Sequence, residues 1–296
     1  MSPYPFDKEN MKDILEEIVA WKRIEVAEQQ RAMPARTLYA EVEQIMARDA
    51  SPRSMLRALA DADCGIIAEF KRKSPSKGWI HPDVEPEQVV PSYVCHGAAA
   101  LSILTDEKYF GGSMDFIGRT RRHLTLAQPE ARICPILRKD FIVDEYQIFQ
   151  ARRMGADAVL LIAAALSKAE CRTLIRTART LGLEVLLEMH GEAELDYADS
   201  GADMLGINNR NLGTFHTDVE NSFRLAEQLP QDKLRVSESG ISRPETIAEL
   251  HRAGFRGFLI GETFMREADP GLALKRFVEQ TSALLAADRQ GAPDGK

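Results

Sequence analysis

Several charged and polar side chains end apolar runs, where an unpaired charge is costly. Glu69 follows Gly65-Ile66-Ile67-Ala68, and Glu188 follows Val185-Leu186-Leu187. A carboxylate taken out of water needs a partner, or it gives up its charge. The pattern recurs at Lys71, at Lys139-Asp140-Phe141, at Asn208-Asn209-Arg210 and at Glu238-Ser239-Gly240. One such residue reads equally well as a structural ion pair. The recurring set reads as an acid–base site with two lysines, an arginine and several carboxylates, able to bind an anion. Ser239-Gly240 and Gly261-Glu262 add a phosphate signal, because glycine leaves backbone N–H groups uncovered. The plainer reading of these two is a pair of turn glycines. Lys71 and Ser74, in the run AEFKRKSPS, are placed to complete a phosphate cradle.

Other chemistries lack their signatures. His81, His96, His123, His190, His216 and His251 form no H-x-x-x-H or H-x-H pair, and read as surface or supporting residues rather than metal ligands. No G-x-S-x-G elbow occurs. Cys64, Cys95, Cys134 and Cys171 form no C-x-x-C pair, so structural zinc is not indicated. Isolated thiols in so long a chain suit a reducing, cytoplasmic setting.

The elements that must position these residues show as a change of pattern. Met11, Ile14, Leu15, Ile18 and Val19 have helical spacing, and a second helical pattern covers about 37–46. Residues 1–50 thus read as a helical extension whose apolar stripe packs on the main domain. From 65 onward, short apolar runs alternate with helical stretches. Strands are expected at 65–71, 98–104, 132–138, 157–163, 183–188, 204–208, 234–237 and 257–260. Near-continuous apolar strands indicate a parallel sheet buried on both faces.

Capping boxes are expected at Ser167/Glu170, Thr217/Glu220 and Ser242/Glu245, and Asp269-Pro270 reads as a helix start. HGAAALSIL, MGADAVLLI, SGADMLGIN and AGFRGFLIG repeat one plan, a helix closed by glycine and then a strand. Eight βα units are best closed as a TIM (β/α)8 barrel of class α/β, spanning 51–285, whose site lies at the C-terminal strand ends. The alternative is a doubly wound open sheet, but no G-x-G-x-x-G follows the first strand. Residues 286–296 lack periodicity and read as a flexible tail.

Composition bounds the rest. The 296 residues are 44% hydrophobic and 28% charged, with net charge −7. An acidic chain with one short basic cluster suits a small anionic ligand and not nucleic acid. Its N-terminus lacks the basic-then-apolar plan of a signal peptide, and no run is long enough to span a bilayer.

The assembled residues resemble the indole-3-glycerol-phosphate synthase family of tryptophan biosynthesis. The resemblance runs through AEFKRKSPSKG, LSILTDEKYFGGS, PILRKDFIVDEYQI, GADAVLLIAAAL, LEVLLEMH, GINNRNLGTF, VSESGI and FLIGETFM, in family order over about 7–284. It implies a carboxy-lyase that closes a ring with decarboxylation and dehydration. The substrate would be 1-(2-carboxyphenylamino)-1-deoxyribulose 5-phosphate, and the products indole-3-glycerol phosphate, carbon dioxide and water. No cofactor or metal is implied.

By resemblance, Lys139 matches the general acid, and Lys71 a second lysine that binds an anionic group or serves the later dehydration. Glu188 matches the general base and Glu69 an assisting carboxylate. Asn208 and Ser239 match positioning groups, and Arg210 and Glu238 the charged surround. Leu104, Phe110, Phe141, Leu160, Ile162, Leu212 and Phe215 match the apolar floor for the aromatic ring. Gly240, Gly261 and Ser74 stay as the phosphate candidates read from the loops themselves. Two departures stand out. The first loop continues as WIHPDVEP, and Glu262 stands where some members have Ser, so its carboxylate must point away from phosphate. A monomer is the default, and association with other tryptophan-pathway enzymes is compatible with the family. Two other readings remain. One is a phosphoribosylanthranilate isomerase-like barrel, which needs a Cys–Asp pair. The other is a non-catalytic ligand-binding barrel.

Overall fold

A computed structural model describes residues 14–48, 52–127, 134–211 and 216–291. Eight parallel strands close into a barrel in the order β1-β10-β9-β8-β7-β6-β5-β4. They are β1 (Ile66–Phe70), β4 (Ala100–Leu104), β5 (Ile136–Lys139), β6 (Ala158–Ile162), β7 (Glu184–Met189), β8 (Met204–Asn208), β9 (Leu234–Glu238) and β10 (Gly257–Ile260). A small antiparallel hairpin, β2 (Lys73–Ser74) with β3 (Gly78–Trp79), lies in the loop after β1. Every residue of β1, β4 and β6 is buried. Such strands need cover on both faces, and the closed barrel supplies it.

Side chains alternate between two cores. Ile67, Ala100, Leu137, Leu160, Leu186, Met204, Val236 and Leu259 fill the barrel interior. Ile66, Leu101, Ile136, Leu161, Leu187 and Leu205 face the surrounding helices. This two-residue period aims the polar strand ends inward. Glu69 is two residues past Ile67, Lys139 two past Leu137, Glu188 two past Leu186 and Glu238 two past Val236. The interior core ends where these residues begin.

The extension comprises α1 (Ile14–Ala32) and α2 (Ala35–Arg48). Helix α2 packs on α7 (Glu145–Met154), where Tyr39 stacks on Phe149 with ring centroids 3.8 Å apart. A short helix, α3 (Met55–Ala60), plugs the other end of the barrel with Met55 and Leu59. Glu184 holds it there by accepting from Ser54 Oγ (2.6 Å) and Leu56 N (2.9 Å).

The four glycines of the repeated junctions, Gly97, Gly155, Gly201 and Gly254, all have φ between 88° and 96°. That left-handed conformation suits glycine above other residues. The Ser167/Glu170 capping box forms at α8 (Lys168–Thr180), and Asp269 accepts from Leu272 N at the start of α12 (Pro270–Gly291).

Two expected boxes do not form. The N-cap of α9 (Glu220–Ala226) is Val219, because Thr217 is drawn into a bridge with Arg210 and Asp218 accepts from Glu220 N. The N-cap of α10 (Pro244–Arg252) is Arg243, which Pro244 forces into an extended conformation. A further correction concerns the expected tail. Residues 286–291 continue α12, while 292–296 lie outside the described residues.

Candidate active site

A chamber opens at the C-terminal strand ends. The strand-end residues Glu69, Lys71, Lys139, Glu188, Asn208, Arg210, Glu238 and Ser239 all line it. Leu104, Phe110, Phe141, Leu160 and Ile162 form its apolar wall. Phe110 and Phe141 face each other with centroids 5.8 Å apart. Its open space is about 920 Å3, counted with its mouth to solvent.

The charges are paired across the barrel. Lys139 Nζ lies 2.8 Å from Glu188 Oε2 and 3.5 Å from Glu238 Oε2. Lys71 Nζ donates to Glu69 Oε1 at 2.6 Å, and Ser102 Oγ donates to Glu69 Oε2 at 3.4 Å. Burial works against the Lys139 ammonium, but Glu188, Glu238 and Glu69 outweigh it and raise its pKa above the ordinary lysine value. Burial likewise works against ionised Glu188, but Lys139 and His190 pull its pKa well below the carboxylate range. Lys71 and Lys139 lower that of Glu69 against its burial.

Glu238 differs. Burial pushes its pKa to about 8, and the neighbouring Glu188 and Glu69 add to the rise. Three carboxylates share two lysines here, and Glu238 is the one whose pKa is raised rather than lowered. Its seat also depends on Gly206, since a Cβ there would meet Glu238 Oε1.

Ser239 sits at φ 69°, the only non-glycine with positive φ among the described residues. Such strain persists where neighbours impose it. Asn209 does so here. Its Nδ2 donates to Ser239 O and Ser237 Oγ, both at 3.0 Å, while its Oδ1 accepts from Ser222. Asn208 Oδ1 accepts from Arg210 N at 3.0 Å, which shapes the turn after β8.

A second, polar cavity adjoins the first and shares Glu69, Lys71, Arg210, Ser239 and Leu259 with it. Gly240, Gly261 and Glu262 line it, with Ser76 and Lys77 from the first loop. Ser74 lines the apolar chamber, while Ser76 and Lys77 line the polar cavity. The Glu262 carboxylate turns to Arg210 (3.6 Å) and Lys77 (3.9 Å). Leu212 and Phe215 lie outside the described residues. Among the described residues no cluster of His, Cys, Asp and Glu is placed to hold a metal ion. Cys134 precedes β5, at the barrel end opposite the chamber, and its thiol reaches Ala98 O.

Sequence reasoning missed three features. Ile14, Leu15 and Ile18 of α1 roof the chamber; their helical stripe was legible, but not the surface it covers. Lys22, one turn further along α1, is buried against Glu25, Asp106 and Asp140 at 2.9–3.0 Å. His190 stands behind Glu188, with Nε2 3.2 Å from Glu188 Oε1. A histidine two residues after a strand-end carboxylate was the available signal.

The geometry agrees with comparisons to known proteins. The family model for indole-3-glycerol phosphate synthase matches residues 15–277. The chain is 60% identical over 269 residues to an indole-3-glycerol phosphate synthase of Bacteroides thetaiotaomicron, covering 91% of this chain and 99% of that one. It is 44% identical over 266 residues to one of Laribacter hongkongensis, covering 89% and 98%. Among solved structures, thiamine phosphate pyrophosphorylase from Pyrococcus furiosus matches with TM-score 0.56 at 18% identity, over 75% of this chain and 98% of that one. 3-Hexulose-6-phosphate synthase from Salmonella typhimurium matches with TM-score 0.54 at 15% identity, over 75% and 99%. At these identities the two structures speak for the barrel alone. Family match and near-full-length identity agree with a charged cup and an adjoining polar cavity: the chain belongs to the indole-3-glycerol phosphate synthase family.

Proposed function

We propose that the chamber converts 1-(2-carboxyphenylamino)-1-deoxyribulose 5-phosphate to indole-3-glycerol phosphate, carbon dioxide and water by the following division of labour. The observation that carries it is Lys139, an ammonium held between Glu188 and Glu238 at the edge of an aromatic-walled chamber. Lys139 donates a proton to the ketone oxygen as the ring carbon bearing the carboxylate attacks the ketone carbon. The bond to the carboxylate then breaks, carbon dioxide leaves, and its electron pair restores the aromatic ring. The new hydroxyl departs as water with a second proton, and Glu188 takes the proton lost from the adjacent CH2. One solvent proton is consumed per turnover.

Lys71, oriented by Glu69, binds the substrate's anionic groups or supplies the second proton. Arg210 binds the carboxylate, and Asn208 and Ser239 hold the hydroxyls. Glu238, proton-bearing at pH 7, brings no third negative charge to the incoming carboxylate. Backbone N–H groups around Gly240 and Gly261, with Lys77, take the phosphate. The test is indole fluorescence from purified chain and substrate without added metal. Absence of product at every pH from 6 to 9 refutes this reading.

Phe110 and Phe141 are proposed to form the wall against which the aromatic ring packs. Phe110→Ala, on a turn at the rim, is expected to raise KM about tenfold, matching loss of one aromatic contact of ~1.4 kcal/mol, with a smaller change in kcat. Steady-state kinetics check this. An unchanged KM removes Phe110 from the ring site.

A monomer in the cytoplasm is the proposed state. None of the four cysteines is in a disulfide, and among the described residues no helix is long and apolar enough to cross a membrane. Association with other tryptophan-pathway enzymes is compatible with this.

A further inference from the structure

We infer that His190 is a positioning residue for Glu188, fixing one carboxylate oxygen from behind so that the other stays on Lys139 and faces the chamber. The inference rests on the reading of Glu188 as the base.

The geometry is a line of alternating charges. Glu194 Oε2 lies 3.5 Å from His190 Nδ1, and His190 Nε2 lies 3.2 Å from Glu188 Oε1. Glu188 Oε2 lies 2.8 Å from Lys139 Nζ. The two oxygens of Glu188 are thus divided between an imidazole behind and an ammonium in front. A carboxylate with only one partner can rotate about its terminal bond, and one held at both oxygens cannot.

The His190 backbone is fixed and its ring is largely enclosed. Its side chain is 10% exposed. Its backbone N–H donates to Glu194 Oε2 (2.8 Å), and its carbonyl accepts from Asn221 Nδ2 of α9 (3.0 Å). A histidine that merely filled space would not need a carboxylate at each ring nitrogen.

Other charges face the ring from its outer side. Arg210, His216, Asp218, Glu220 and Arg224 line a polar cavity that His190 and Glu194 share. Arg210 is engaged by Ser76 and Glu262, and Arg224 by Glu192 and Asn221. Glu188 and Glu194 are therefore the charges that act on the ring. Burial works against the imidazolium, but these two carboxylates push its pKa up to about 9. Its hold on Glu188 is complete below the ordinary histidine value and is lost as pH rises through about 9. Glu238, raised by burial and by the neighbouring Glu188 and Glu69, adds a change of its own near pH 8.

The experiment compares full-length wild type and His190→Gln in kcat and KM from pH 6 to 10. Glutamine keeps a donor but does not titrate. At pH 7.5 the variant is expected to lose about tenfold in kcat, with KM within twofold. The rate loss near pH 9 should vanish, while that near pH 8 remains. A kcat within twofold of wild type overturns the inference. So does a lower kcat with an unaltered pH profile, which packing alone would produce. Should His190→Gln fail to fold, Glu194→Gln carries the test. Removing the outer charge should move the pH 9 limb to lower pH, and an unmoved limb overturns the inference. Wild-type turnover tests the role of the chamber, and the variant-to-wild-type comparison tests His190, so the two fail separately.

Discussion

Lys139→Ala is expected to lower kcat by about 10³–10⁴-fold while leaving the circular dichroism spectrum unchanged. Loss of a positioned acid alone accounts for about 10²–10⁴-fold. Here the lysine has a second effect. Its charge, with that of His190, holds Glu188 ionised against full burial. Removing it leaves Glu188 with His190 as its nearest cationic partner, so its pKa rises. On the proposed roles, the base is weakened together with loss of the acid. Glu188→Gln should therefore cost a similar factor, and the double variant little more than either single one. Single-turnover rates with saturating substrate decide the matter. A Lys139→Ala rate within tenfold of wild type would show that another group protonates the ketone. The fold should survive, because the site is assembled from strand ends whose packing lies one layer below.

Lys22→Met is expected to destabilise the chain by about 3–5 kcal/mol, the cost of breaking a buried ion pair from one side. In a chain this long, that lowers Tm by roughly 10 °C. The Lys22 side chain is 1% exposed, and three carboxylates surround its ammonium. Asp106 and Asp140 are buried with it, so neither has water to fall back on. Asp140 also accepts from Thr105 Oγ1 (2.6 Å) and pairs with Arg138 (2.9 Å).

The consequence reaches the chamber. Asp106 caps the turn that carries Phe110, Asp140 precedes Phe141, and Lys22 lies one turn beyond the α1 residues of the roof. One ammonium thus joins the three walls of the aromatic subsite. Lys22→Met should raise KM more than it lowers kcat. The clamp also has an acid limit. Burial opposes the Asp140 charge, but Lys22 and Arg138 hold its pKa at about 2. This depressed value contributes stability above the ordinary aspartate pKa near 4, and that stability is lost as pH falls through 2. Thermal melts of wild type and variant between pH 2 and 7 check both statements. A loss under 1 kcal/mol at pH 7 would mean that the extension is held by its apolar stripe alone.

Much of this molecule was legible in the amino-acid order because its rules are local. Buried parallel strands must be apolar throughout, so their limits showed to within a few residues. Polar residues that end such strands stood out against that background: Glu69, Lys71, Lys139, Glu188 and Glu238 meet in one chamber, and Glu262 lines the cavity beside it. The four junction glycines were legible for the same reason, since a left-handed helix end asks for one residue type. The capping boxes at Thr217 and Ser242 misled because the same spacing occurs where a tertiary bridge or a proline decides where the helix starts.

What the order of residues could not decide was anything set by two segments far apart in the chain. The roof of Ile14, Leu15 and Ile18 is helix by its spacing, but the surface it covers depends on where Lys22 finds Asp106 and Asp140. Ser74 was the phosphate candidate named from sequence; the hairpin after β1 sends it to the apolar chamber and Ser76 to the polar cavity. His190 looked like any surface histidine until its ring stood between Glu188 and Glu194. The sequence by itself determined the barrel and which side chains face its centre, because strand period and burial are properties of one segment. The tertiary structure alone decided which carboxylate pKa is raised, which are lowered and which group stands behind Glu188. Those outcomes depend on distances between charges in a low-dielectric interior, and no single segment contains them.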